Sequence, residues 1–143
     1  LKKDINVYCS AKLIDKLYFK TLINKLNIFK HKKIFFAKRK KVAEIFSHKC
    51  DLVVSHQLLN GLNYTYLEAL YFNIPLVHNS EYIKEAGYFY PDYDTNLAAK
   101  AIKNAITNHS KNLQQYKEKS AQVLNKYSPT NPIVIEKYKK LLS

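Results

Sequence analysis

Cys50-Asp-Leu-Val-Val-Ser-His-Gln-Leu-Leu-Asn-Gly-Leu-Asn-Tyr-Thr-Tyr-Leu-Glu-Ala-Leu-Tyr-Phe-Asn-Ile-Pro-Leu-Val-His-Asn-Ser80 reads as strand, loop, helix and strand. Leu52, Val53 and Val54 form a short apolar run of the kind that fills a strand buried on both faces. Ser55 to Gly61 is polar and holds one of the two glycines in the chain. From Tyr64 to Phe72, Leu67, Leu70 and Tyr71 recur at helical spacing. Asn73 is a natural helix stop, and Pro75 bars any continuation. Ile74 to Val77 is a second apolar run. Strand, helix and strand over about thirty residues make a βαβ unit, whose crossover is right-handed in nearly all proteins.

In such a unit the Ser55–Tyr64 loop and the His78–Ser80 segment both stand at carboxyl ends of parallel strands. Open α/β sheets bind ligands there. Free N–H groups near Leu62–Tyr64, at the start of the helix, favour an anion such as phosphate. The expected crevice is therefore built from His56, Asn60, Gly61, Leu62, Asn63, Tyr64, Glu68, His78, Asn79 and Ser80.

Outward from this stretch the same alternation continues. Ile5–Cys9 and Ile34–Ala37 read as strands. Leu13, Leu17, Leu22, Ile23 and Leu26 mark one amphipathic helix, with Ser10 as its cap. Val42, Ile45 and Phe46 mark another. After the second crevice strand come a short helical turn at Glu81–Glu85 and an extended Tyr88–Tyr90. Helices then follow from about Asn96, Leu113 and Ile133, the first capped by Asp94 or Thr95. The order β-α-β-α-β-α-β-α predicts a Rossmann-like parallel sheet with helices on both faces, in one domain spanning residues 1–143. The G-x-G-x-x-G fingerprint of dinucleotide binders is absent.

The 143 residues carry a net charge of +13, unevenly distributed. Residues 1–49 hold 14 basic and 3 acidic side chains, residues 50–99 hold 1 and 6, and residues 100–143 hold 9 and 2. The crevice segment is thus the acidic part of a basic protein. A nucleic-acid binder concentrates positive charge on its working face, so the distribution argues against nucleic acid as the partner. All basic residues but Arg39 are lysines, and they read as solvated surface. The five histidines and two cysteines show no ligand spacing, so no metal is expected. Cys9 and Cys50 read as small core residues of a reduced, cytoplasmic protein. No apolar run is long enough to span a membrane. The chain begins at Leu1 and contains no methionine, which suggests a fragment whose upstream part is missing.

Asn60-Gly-Leu-Asn-Tyr-Thr-Tyr-Leu-Glu68-Ala-Leu, followed by Ile74-Pro-Leu-Val, resembles the nucleotide-sugar site of GT-B glycosyltransferases. That family reads roughly E-G-F-G-x-x-x-L-E-A-x-x-x-G-x-P-V-V. Glu81–Ala86, Gly87-Tyr-Phe-Tyr-Pro-Asp and the alanine-rich helix after them fit the family's downstream wording, so the resemblance covers about residues 34–110. The wording from His56 to Tyr71 is also similar to an uncharacterised glycosyltransferase-like bacterial family.

The resemblance implies the C-terminal, donor-binding half of a GT-B fold. It implies a hexosyltransferase type of activity that uses a UDP- or GDP-linked sugar as substrate, with no further cofactor. Glu68 matches the glutamate that receives the ribose hydroxyls, and Leu62–Tyr64 matches the loop that holds the diphosphate. The Ala37–Arg39 loop, with Lys38 and Arg39, matches the region that touches the base. Asn60 stands where the family has its first, sugar-contacting glutamate. Asn63 and Asn73 replace family glycines, and Asn is the side chain that best tolerates positive φ. The basic pair that neutralises the diphosphate has no counterpart here. The resemblance assigns it, with the first strand and an acceptor-binding domain, to the missing upstream part, so the fragment alone is expected to be inactive. Apolar residues left bare on the final helix would favour a homodimer. Two alternatives stand beside this reading: a sugar-nucleotide epimerase of the GT-B type, and a non-catalytic basic α/β domain that binds nucleic acid.

Overall fold

The computed structural model describes residues 4–47 and 50–142. The chain divides into two compact units, residues 1–48 and 49–143. Both are mixed α/β, built on small parallel sheets.

In the first unit, β1 (Ile5–Val7) and β2 (Ile34–Phe36) pair parallel, with Ile5 opposite Ile34 and Val7 opposite Phe36. The stretch between them is helical but broken. A 3₁₀ turn covers Ala11–Asp15, then α1 covers Leu17–Ile23 and α2 covers Asn27–Lys30. One continuous helix over these leucines was the expectation; instead Lys16 and Leu26 adopt extended backbone and split it. Ser10 does not cap through its side chain. Its hydroxyl donates back to the Val7 carbonyl, while the N–H groups of Ser10 and Ala11 both reach the Ala37 carbonyl. Phe19 meets Phe36 edge-on at 5.2 Å, and Ile23 is buried. The unit closes with α3 (Val42–Ser47). Cys9 is exposed in a positive-φ turn and Cys50, in the second unit, is only half-buried, so neither is the core residue expected.

The second unit contains β3 (Val53–Val54), β4 (Leu76–His78) and β5 (Tyr88–Phe89), parallel and in that order. β4 is central and completely buried. β3 is not buried on both faces, for Val54 stays exposed. Between β3 and β4 runs α4 (Tyr64–Tyr71). Asn63 caps it, its side-chain oxygen accepting from the Thr65 N–H at 3.0 Å. At the other end Asn73 takes φ +56°, and its N–H and that of Ile74 return to the carbonyls of Leu70 and Ala69. This pair of bonds is a Schellman stop, which needs a residue that accepts the left-handed conformation. Asn63, by contrast, sits in ordinary extended backbone at φ −120°; it is there as a cap, not as a substitute for glycine.

After β5, Asp94 caps α5 (Thr95–Asn108) by accepting from the N–H groups of Asn96 and Leu97. Ala98, Ala101 and Ala105 let that helix lie close on β4 and β5, where Val77 and Tyr90 form the core with it. α6 (Leu113–Lys126) packs against α4. It sends the Tyr116 hydroxyl to the start of β4, donating to the Ile74 carbonyl at 2.7 Å and accepting the Leu76 N–H at 3.2 Å. α7 (Pro132–Leu142) ends the unit with Ile133, Tyr138, Leu141 and Leu142 exposed. Among the described residues no helix is long and apolar enough to cross a membrane.

Candidate functional site

Because β3, β4 and β5 are parallel, the loops after them emerge at the same edge of the sheet. A cleft of about 380 Å³ opens among these loops. The first loop contributes Gln57, Leu59, Asn60 and Gly61. The second contributes Asn79 to Tyr82, and the third Asp92 and Tyr93.

Asn79 holds the three loops together. Its side-chain oxygen accepts the Gln57 N–H at 2.9 Å, and its amide nitrogen donates to the carbonyls of Gln57 and Asp92, each at 3.0 Å. Such pairing satisfies loop backbone groups that no strand reaches. The Ser80 hydroxyl donates to the Gly61 carbonyl, tying the first loop to the second again. A Cβ at Gly61 would run into the Tyr82 ring, so any side chain there would push that ring aside.

His56 is exposed at the mouth of the first loop. Its Nδ1 shares a hydrogen bond of 2.7 Å with the Tyr90 hydroxyl, and its ring stacks on Tyr90 and meets Tyr93 edge-on. His78 lies differently from the expected crevice contact. It is fully buried, and both ring nitrogens are taken. The Ser80 N–H donates to Nδ1 at 3.2 Å, which leaves the proton on Nε2 to reach the Ala86 carbonyl at 2.9 Å. Burial pushes its pKa below the ordinary histidine value, with the two hydrogen bonds opposing. Gly87 makes room for that ring: its φ is +71°, and a Cβ would come within 2.8 Å of His78 Nε2.

Of the residues named from sequence, Asn60, Gly61, Asn79 and Ser80 line the cleft together. Leu62, Tyr64 and Glu68, exposed on α4 and its approach, are not among its lining, and neither is Asn63. Lys38 and Arg39 are exposed in the loop after β2, in the first unit. Gln57, Glu81, Tyr82, Asp92 and Tyr93 were not foreseen as lining. For Asp92 and Tyr93 the signal was the strand count: once Tyr88–Phe89 is a third parallel strand, the turn after it must reach the same edge.

The lining is chemically distinctive. It holds side-chain amides, two tyrosines and the carboxylates of Glu81 and Asp92, but, among the described residues, no lysine or arginine. Glu81 is paired with Lys84 at 3.0 Å on the surface. Carboxylates accept from hydroxyl groups, side-chain amides both accept from and donate to them, and tyrosine rings offer apolar faces. Among the described residues, no group of three or more His, Cys, Asp and Glu could hold a metal ion. No curated protein and no solved structure matches the chain. A family model does match residues 3–142, nearly the whole chain, and the protein belongs to that family, DUF2827, whose members are described as proteins of unknown function.

Proposed function

We propose that the second unit binds the nucleotide-sugar donor of a GT-B-like glycosyltransferase. The observation that carries this reading is the cleft at the carboxyl edge of three parallel strands, lined by Asn60 and Gly61 of the loop that leads into α4. In that reading the hydroxyl-rich sugar faces Asn60 and Asn79. The diphosphate meets the N–H groups of Leu62–Tyr64, ahead of those of Thr65 and Tyr66 that Asn63 already holds, and the ribose meets Glu68. The helix start favours the departing diphosphate through its partial positive charge, the electrostatic part of transfer chemistry. The nucleoside is that of UDP or GDP, and the transferase acts on a hexose donor.

Titration with UDP and with GDP, followed by backbone NMR, tests this. Shifts are expected at residues 60–68 and at Asn79. Glu68→Gln keeps the shape of the side chain but removes its charge, and should weaken binding by roughly 1.5–3 kcal/mol, the usual worth of a hydrogen bond to a charged group. Lys111→Gln, away from the cleft, should change nothing. Shifts confined to the lysine-rich residues 11–33, with 60–68 silent, would overturn the donor reading in favour of charge-driven binding of nucleic acid.

A further inference from the structure

α1 is apolar on two opposite faces. Phe19 and Ile23 turn inward, onto Phe36 and into the core of the first unit. On the other side Leu17 is 81% exposed, Tyr18 69% and Leu22 60%. At 100° per residue these three fall within one 140° arc of the helix, so they form a single outward stripe. Leu13 before the helix and Leu26 after it are exposed as well. A stripe of this kind on the surface of a soluble unit marks an interaction site.

The charges around the stripe narrow the partner. Lys12, Lys16, Lys20, Lys25, Lys30 and Lys32 are all exposed, and Asp15 is the one acidic residue from Ala11 to Lys33. Nucleic acid would use the lysines but leave the leucines and tyrosine in water. A neutral protein groove would use the apolar stripe but leave the lysines without partners. An anionic lipid surface takes both. The apolar side chains enter the boundary between headgroups and acyl chains, and lysine stems reach back so that their ammonium groups stay at the phosphates.

We propose that the lysine-rich segment Ala11–Lys33 is a peripheral docking surface for an anionic lipid bilayer. The contact lies in the plane of the interface. Its strength comes from the Leu17–Tyr18–Leu22 stripe and its selectivity for anionic lipid from the lysines. The claim is independent of what the cleft in the second unit binds.

Co-sedimentation of the full chain with phosphatidylcholine vesicles, with and without phosphatidylserine, tests it. Binding is expected only with phosphatidylserine, and it should weaken as salt rises from about 0.1 M to about 0.5 M. The pair Leu17→Gln and Leu22→Gln should lower the partition coefficient about tenfold or more, and Lys16→Glu with Lys20→Glu should do the same by the charge route. Leu141→Gln with Leu142→Gln, which removes exposed leucines from α7, should leave binding unchanged. All variants alter exposed side chains, and far-UV circular dichroism checks that each is folded. The proposal is overturned if vesicles with phosphatidylserine bring down no protein, or if the Leu17/Leu22 pair binds them like the parent. It is overturned equally if the Leu17/Leu22 change instead abolishes a dimer seen by sedimentation velocity, or if duplex RNA binds as tightly as lipid and is indifferent to that change.

Discussion

In residues 1–48 two parallel strands carry Ile5, Phe35 and Phe36, and the helical stretch between them supplies four leucines. In residues 49–143 three parallel strands carry Val53, Leu76 and Val77, with α4, α5 and α6 around them. Among the described residues the first unit buries only Ser10 and Ile23, while the second buries Tyr66, Ala69, Leu70, Leu76, Val77, Ile83, Ala86, Tyr90, Ala105, Tyr116 and Val123, together with His78 and the serines at 80 and 120. Apolar content is therefore not what separates them. Small residues are: alanines at positions 69, 98, 101 and 105 let helices approach strands and one another, and close approach excludes water from the larger side chains beside them. The first unit has alanine only at positions 11, 37 and 43, none of them within α1 or α2. Burial of apolar surface is the main favourable term in folding, so the second unit should hold most of the stability and the first should open more readily.

The largest test of that contrast is truncation of one leucine in each unit. Leu70 is fully buried, and Leu70→Ala should cost about 2–5 kcal/mol through lost transfer energy and the cavity left behind. Leu17→Ala, on the exposed stripe, should stay within about 0.5 kcal/mol. Urea unfolding read separately on amide resonances from each unit measures both. Equal costs would remove the distinction drawn here.

A smaller effect is expected at the end of α4. Asn73→Ala places an alanine at φ +56° and should cost about 1 kcal/mol, whereas Asn73→Gly should be neutral within a few tenths. The thermal midpoint reports both, and the sign of the difference matters more than its size.

The most gradual effect is that of pH. Burial lowers the pKa of His78, and also that of His109, whose Nε2 donates to the Asn73 carbonyl while its Nδ1 accepts from the Tyr88 hydroxyl. The folded state thus binds fewer protons than the unfolded chain. This contribution to stability is complete above the unfolded value of about 6.5 and declines as pH falls through it toward the lower folded values. Acidification should therefore loosen the second unit, while the first has no buried histidine among its described residues. Denaturation midpoints measured for each unit at about pH 7.5 and about pH 5 should diverge in that sense. A second unit that is indifferent to this change would show that neither histidine is linked to folding.

Much of the backbone was legible before the structure, for reasons that can be named. The elements from Val53 onward are short apolar runs separated by residues with one strong local preference each: Asn73 as stop, Pro75 as bar, Asp94 as cap; the capping role of Asn63 was not among them. The break inside Ala11–Lys30 was not legible, because its leucines keep helical spacing across the extended residues Lys16 and Leu26. Burial was read less well than position. Tyr66 and Tyr90 lie in the core as their class suggests, yet Tyr64 and Tyr71, on the same helix as Tyr66, face solvent. Spacing tells which residues share a face but not which face meets a neighbour. At the site, Asn60 and Gly61 followed from the βαβ reading, while the inward turn of His78 depended on the space above Gly87, which no pattern in the sequence announces.

Asn79 connects the loops around the cleft through three hydrogen bonds made by one amide, and that amide is followed directly by a serine. Replacing Asn79 by aspartate isolates what that amide does. At this position the change would replace a nitrogen that donates to two carbonyls with a negatively charged oxygen facing both. The attraction that holds the loops would become repulsion, with the sheet beneath left intact. The shape of the cleft thus depends on the neutrality of one side chain, while the fold that carries it does not.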